Sequence, residues 1–299
     1  MIPELLAIFV PVAQVLLGAV VGALAGEGTA RRRAAWGLAA VIGLMPWLVP
    51  AELRVERTIS ALFALLVAMK LVDLMRERPV RDLAARVAHV LIAPDLRTGR
   101  PAPPAFNAWA FGTGLLAFAA MFTAIEAVDH LPGVLPLRWL LGAAGVVLLA
   151  EGTDRLIQGL FRLGGLQLPP LQNAPVMSVT VAEFWGHRWN ALVRAWLAAV
   201  CFRPLARRRR PLAGLALAFF GSAGIHWYLA LPAVGLFWAS LMGGFFLVQG
   251  GIVLLERRLG VASWPVPASR AWTITMMLGT APMFVEPVLI ALGYAPVWG

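Results

Sequence analysis

The chain has 299 residues, 60% of them hydrophobic and 13% charged, with a formal net charge of +10 and a mean hydropathy of +0.80. A soluble domain of this size carries roughly a quarter charged residues, so the composition defines a polytopic membrane protein and leaves no soluble domain for nucleic acid. A single cysteine, Cys201, excludes an internal disulfide and any multi-cysteine metal centre.

A spanning helix needs about 20 mainly apolar residues. The apolar runs predict an all-α transmembrane bundle of about eight spans, near 5–25, 34–50, 59–75, 105–125, 134–150, 211–230, 233–255 and 271–295. The chain reads as a single domain over 1–299. Its first run is long enough to span and lacks a basic leading region, so it reads as a span and not as a cleavable signal.

Eight spans put alternate loops on opposite sides. The N-terminus, the 51–58 and 126–137 loops, the 231–232 turn and the C-terminus share a side with only Arg54, Arg57 and Arg138. The other 21 arginines, among them Arg31 to Arg33 and Arg207 to Arg210, gather on the second side. The positive-inside rule makes that side cytoplasmic and both termini external. Topology, with attraction to anionic lipid, accounts for most of the positive charge. Arginine replaces lysine almost everywhere (Lys70 is the sole lysine) in an alanine-rich chain. That bias fits a GC-rich bacterial genome, and the expected location is a bacterial inner membrane.

After the third span, "VRDLAARVAHVLI" is amphipathic and is expected to lie on the cytoplasmic surface, with His89 at the interface. A proline-rich turn, "APDLRTGRPAPP", follows it. The long segment 151–210 departs from the span-and-loop pattern. "DRLIQGLFRLGG" reads as a short surface helix closed by Gly164 and Gly165. "LQLPPLQNAPVMS" holds too many prolines to be helical, and fits a re-entrant segment. Thr180 and Glu183 have capping-box spacing and predict a helix start. At about 100° per residue, Trp185, Trp189, Leu192 and Trp196 then form one apolar stripe, with His187, Asn190 and Arg194 opposite. An interfacial amphipathic helix explains the stripe. It does not explain Gly186 and Asn190, which disfavour a helix interior.

The sixth span, "GLALAFFGSAGIHWYLA", carries His226 in an otherwise apolar run. Ionisable groups in spans are expensive and face a protein interior or a water-filled cavity. Gly214, Ala218, Ser222 and His226 are spaced four apart, so one helix face is small residues ending in the imidazole. From Pro211, His226 lies roughly 22 Å along the helix, in the outer half of a ~30 Å core. An outer-interface histidine beside Trp227 and Tyr228 is the plainer reading of that position.

Taken together, the two features resemble the membrane-bound O-acyltransferase (MBOAT) family, most closely its wax-synthase branch, over about residues 170–230. The branch has a motif like Ser-x-x-(Asp/Glu)-Phe-Trp-Gly-Arg-Arg-Trp-Asn. Here it reads Thr180-Val-Ala-Glu183-Phe184-Trp185-Gly186-His187-Arg188-Trp189-Asn190. A second motif like Ser-Gly-x-x-His reads Ser222-Ala-Gly224-Ile-His226, and Asn190 and His226 lie 36 positions apart. Asn173 and Pro175 also look like the run that precedes the family's first motif. His187 stands where the family has arginine, and Trp227 where many members have an acid; both bear on the substrate.

The resemblance implies acyl transfer from a thioester, acyl-CoA, to the hydroxyl of a lipophilic alcohol, giving a wax-type ester with no bound cofactor. It implies His226 as general base, since neutral imidazole takes a proton from an attacking alcohol. Asn190 would orient the imidazole or donate to the oxyanion. Trp185, Gly186, Arg188, Trp189, Arg194 and Ser222 would line the substrates, with Arg188, Arg194 and Arg203 toward coenzyme A phosphates. O-acetylation of a sugar or secondary-metabolite hydroxyl is the nearest enzymatic alternative. Lys70, Asp73, Glu126, Gln249 and Glu286 are further polar residues in apolar runs. Lys70 and Asp73 have the spacing of a pair on one face, and Glu286, before Pro287, has the place of a cavity-lining carboxylate. They motivate a rival of another class, a small transporter, with an inactive acyltransferase-like partner protein as a third reading. The sequence shows no nucleophile elbow and no zinc signature.

Overall fold

The computed structural model describes residues 2–76, 82–130 and 135–297. Its helices are α1 (Ile2–Leu24), α2 (Thr29–Leu44), α3 (Arg54–Arg76), α4 (Leu83–Leu91), α5 (Ala108–Asp129), α6 (Leu135–Leu163), α7 (Val181–Glu183), α8 (Ala191–Leu197), α9 (Arg203–Ala206), α10 (Pro211–Leu259), α11 (Val266–Thr280) and α12 (Pro282–Ala291). A two-residue antiparallel pairing joins β1 (Arg100–Pro101) to β2 (Leu166–Gln167). The all-α class is as expected. The start of the expected amphipathic segment, Val80 and Arg81, and residues 131–134 of the 126–137 loop lie outside the described residues.

The expected eight spans are not confirmed by helix length and composition. Among the described residues five helices are long and apolar enough to cross a membrane, α1, α3, α5, α6 and α10, or six if α11 and α12, bent by 46°, form one broken span. Two features set that count. Helix α2 has only 16 residues, about 24 Å, short of a ~30 Å core; its last predicted turn is a separate 3-10 turn, Met45–Leu48, with Pro46 at its start. The two spans expected at 211–230 and 233–255 are joined in the 49-residue α10 with no loop at 231–232.

Helix α10 nevertheless doubles back. Gly235 has φ 80 and ψ 177, outside the helical region and open only to glycine. Trp227 Nε1 donates to Ser240 Oγ at 3.3 Å, although a straight helix would hold those residues about 20 Å apart. Phe219 lies 2.9 Å from where a Cβ on Gly250 would sit. The reversal is therefore at Gly235, and α10 consists of two antiparallel limbs.

The chain divides into two compact units, each assembled from separated stretches. The first comprises Met1–Asp95, Ile225–Ser240 and Ile290–Ala295. Its core gathers Val21, Ile42, Val67, Leu71 and Val90. Gln14, fully buried, ties three helices there: its amide donates to Ile42 O (3.4 Å) and Ser60 O (3.1 Å), and accepts from Ser60 Oγ (2.9 Å). Asp82 caps α4 through Ala85 N, and Arg86 donates to Gly22 O and Ala23 O near the end of α1. His89 is buried at 5% exposure, with Nε2 3.6 Å from Asp73 Oδ2; it is not the interfacial residue expected. The cause is close packing, since a Cβ at Gly22 of α1 would lie 2.8 Å from Val87 Cα.

The second unit comprises Leu96–Gly224, Leu241–Leu289 and Pro296–Gly299. Helices α5 and α6 form its densest pair. Gly145, Gly152 and Gly159, at seven-residue spacing, leave room for Ile125, Phe118 and Phe111 of α5. The span expected at 134–150 and the surface helix expected after it are one helix, α6, of 29 residues. At about 43 Å it outruns the hydrocarbon core, so its last turns bear Asp154, Arg155 and Arg162. Gly165, with φ 77, follows its end, as the paired glycines predict.

Candidate active site

The first motif begins as its spacing predicts. Thr180 Oγ1 accepts from Glu183 N at 2.9 Å, and the Glu183 carboxylate reaches back to Val179 N at 2.8 Å. The amides at the start of α7 still need acceptors. Glu256, at 4% exposure on α10, supplies one: its carboxylate accepts from Val181 N (2.8 Å), Ala182 N (2.9 Å) and Trp272 Nε1 (3.0 Å). A carboxylate at a helix N-terminus also meets the positive end of the dipole.

The single amphipathic helix through Trp196 does not form. After α7 the chain widens into a π turn, Phe184–Arg188. Trp189 is extended (φ −96, ψ 133), Asn190 is left-handed (φ 40, ψ 73), and α8 starts afresh. The expected stripe is thus split. Trp185 packs edge-on against Phe184, Phe219, Phe245 and Phe246, with Nε1 donating to Gln249 Oε1 at 3.1 Å. Trp189 instead stacks on Phe184, centroids 5.4 Å apart.

Asparagine explains the break. It is among the few residues that tolerate the left-handed conformation, and its Oδ1 caps α8 by accepting from Val193 N at 3.2 Å. The proline-rich segment satisfies the backbone freed here. Asn173 N donates to Arg188 O and Ala191 N to Leu171 O, both at 2.8 Å, while Asn190 N donates to Gln172 Oε1 at 3.0 Å. Asp154, at 2% exposure, anchors that segment in turn, accepting from Leu171 N (3.0 Å) and Gln172 N (3.1 Å). Both backbone N–H and side-chain Oδ1 of Asn190 are therefore committed to structure. Its Nδ2 makes no hydrogen bond among the described residues.

Arg188 Nε pairs with Glu183 Oε1 at 2.6 Å, and its Nη1 donates to Asn173 O at 3.1 Å. Burial alone would raise the Glu183 pKa. The Val179 amide, the Arg188 hydrogen bond and the nearby Arg188 and His187 charges overcome that and hold it below its ordinary 4.5. Arg194 Nη1 donates to the carbonyl of Gly186 at 3.0 Å. Gly186 is exposed, and a Cβ there would meet nothing within 4 Å.

The second motif stands on the first limb of α10. Ser222 is buried, His226 half-buried one turn on, and Gly224 between them borders open space. Trp185, Arg188, Asn190 and Ser222 fall in the second unit, and His226 in the first. One turn of α10 connects Ser222 to His226.

Glu256, Asp154 and Gln172, which hold the motif in place, went unrecognised in the sequence. Glu256 precedes Arg257 and Arg258 and Asp154 precedes Arg155, so both pass for solvated charges near a membrane face. Gln249 carries a clearer signal, a lone amide in an apolar run; it bridges Trp185 to Thr280 Oγ1 (2.7 Å).

Residues 168–248, which include both motifs, match the family model for the membrane bound O-acyl transferase family. Over that stretch the chain is similar to the family, and most of all to its wax-synthase-like branch. Its curated relatives include "Probable long-chain-alcohol O-fatty-acyltransferase 3" of Arabidopsis thaliana, 25% identical over 60% of this chain and 57% of the relative. The plant's "Probable long-chain-alcohol O-fatty-acyltransferase 6" is 27% identical over 63% and 58%. Its "Probable long-chain-alcohol O-fatty-acyltransferase 7" is 28% identical over 42% and 41%. The chain thus spans under two thirds of the length of these relatives.

Proposed function

We propose that the protein is a membrane O-acyltransferase that moves an acyl group from acyl-CoA to the hydroxyl of a lipophilic alcohol, giving a wax-type ester. The observation that carries this reading is the family match over 168–248, which takes in Asn190 and His226 together. The names of the plant relatives support a long-chain alcohol as acceptor and a fatty acyl group as cargo.

In the proposed reaction the neutral His226 imidazole takes the hydroxyl proton as the alcohol oxygen attacks the thioester carbon. Asn190 Nδ2, uncommitted among the described residues, donates to the oxyanion that develops. Collapse forms the ester bond and breaks the carbon–sulfur bond. The thiolate leaves and receives the proton from the imidazolium, giving free coenzyme A. No cofactor enters this balance.

Glu286 is one of the five polar residues that motivate the rival carrier reading. That carboxylate is fully buried and accepts two hydrogen bonds from Arg138 (2.9 and 3.2 Å) and one from Trp139 (2.8 Å). Its work is to join α6 to α12. The proposed orientation gains a rationale in the same way. Each arginine on the sparsely charged side has a structural partner: Arg54 donates to Ile290 O, Arg57 to Val49 O and Pro232 O, and Arg138 to Glu286. Packing accounts for those three, so they do not count against reading the arginine-rich side as cytoplasmic.

The test supplies purified protein with labelled acyl-CoAs of several chain lengths and a panel of fatty alcohols, sterols and sugars. The proposal expects ester with a fatty alcohol and stoichiometric release of coenzyme A. Ester formed only with sugars would move the protein to the O-acetyltransferase reading, and no ester with any pair would contradict the reaction.

A further inference from the structure

Within the second unit, the two limbs of α10 bound an apolar groove of about 700 Å³, within the range of small-molecule sites, about 300–1,000 Å³. All its lining residues are apolar, among them Leu205, Ala213, Phe220, Leu247 and Gly251. Phe220 is 67% exposed and Leu247 49%, so the groove opens outward. It offers an alkyl chain a place to lie and supplies no polar group for chemistry.

One end of the groove is set by Leu205 and Ala213, and the chain between those two carries Arg207, Arg208, Arg209 and Arg210. A tight turn holds the run there. Arg208 N and Arg210 N both donate to Leu205 O (3.0 and 2.9 Å), Arg209 N donates to Ala206 O, and Gly214 N closes onto Arg210 O. Arg209 adopts φ 59. All four side chains are exposed, and among the described residues none makes an ion pair or side-chain hydrogen bond. Positive-inside topology asks only for positive charge near the interface. It does not ask for four consecutive exposed arginines in a tight turn between two lining residues of an alkyl groove.

We propose that this groove binds an anionic phospholipid, one acyl chain lying between the limbs of α10 and the phosphate held by Arg207 to Arg210. Guanidinium matches phosphate in charge and geometry, and basic residues near an anionic leaflet are attracted to it. The site is separate from the acyl-transfer residues and does not depend on the proposed reaction.

The test is native mass spectrometry of the detergent-solubilised full chain, titrated with phosphatidylglycerol or phosphatidylcholine. Two variants separate groove from charge. Gly251 lines the groove, and a Cβ there meets nothing within 4 Å, so Gly251→Leu fills it without a clash at Cβ. The quadruple Arg207–Arg210→Gln change removes the charge. Circular dichroism and the unfolding temperature verify that both variants are folded. The proposal expects one tightly held phosphatidylglycerol, with phosphatidylcholine and both variants weaker by about tenfold or more. Equal retention of the two lipids overturns it. So does phosphatidylglycerol binding that survives Gly251→Leu, which would reduce the site to surface attraction. One-for-one displacement by oleoyl-CoA also overturns it, because the groove would then belong to the acyl donor.

Discussion

Asn190 does two separable things, and substitution there tells them apart. Its Oδ1 caps α8 and its backbone holds a left-handed turn, while its Nδ2 is the donor assigned to the oxyanion. Asn190→Ala loses the cap, about 1 kcal/mol, and forces a Cβ-bearing residue without a helpful side chain into φ 40, about 1–2 kcal/mol. The expected destabilisation is about 2–3 kcal/mol. Asn190→Gly removes the backbone strain and loses only a few tenths of a kcal/mol as a cap. Asn190→Asp keeps the capping oxygen and a tolerated left-handed residue, so it unfolds close to wild type. The activity order differs if Nδ2 acts in the reaction: all three variants lose the donor, and each loses about 10²–10³ in kcat. Thermal unfolding and single-turnover ester formation, measured on the same preparations, compare the two orders. A stable Asn190→Asp protein with wild-type kcat would refute the chemical role and leave Asn190 a structural cap.

Other outcomes follow from the packing. Glu286→Ala leaves Arg138 buried without its carboxylate and is expected to cost about 3–5 kcal/mol, whereas the double change Arg138→Met, Glu286→Leu recovers most of that loss; denaturant melts of both check it. Gly235→Ala meets no atom within 4 Å, so any loss comes from φ 80 alone; about 1–3 kcal/mol is expected, and an unchanged melting temperature would contradict a turn at that glycine. Glu183 has a folded pKa below its ordinary 4.5, so its contribution is present above that value and fades as pH falls through the folded pKa. The melting temperature of Glu183→Gln should therefore lie below wild type near pH 7, with the gap closing on acidification; a gap that widens in acid would contradict the Arg188 pairing.

The sequence disclosed the class, the capping box at Thr180 and the glycine stop at Gly165, because each rests on local chemistry or gross composition. It misjudged the stretch from Trp185 to Trp196, where ideal helical periodicity projected one continuous stripe. The anomaly was visible in Gly186 and Asn190, but what breaks the helix is long-range. Gln172, Leu171 and Asn173 offer the backbone 188–191 partners that helix continuation would forgo, and Asp154 holds those partners in turn. The turn in α10 was misplaced for a related reason. Pro232 looks like the interruption, yet the reversal is at Gly235, where only glycine reaches the required φ and ψ.

The central claim is that His226 is the base of an acyl transfer. Its most direct measurement is the rate of labelled ester formation by His226→Ala and His226→Gln against wild type, at saturating acyl-CoA and fatty alcohol, with folding verified by unchanged thermal unfolding. The account predicts folded variants whose kcat falls by about 10²–10⁴, the usual worth of a positioned general base. A folded His226→Ala protein that makes ester at the wild-type rate would contradict it.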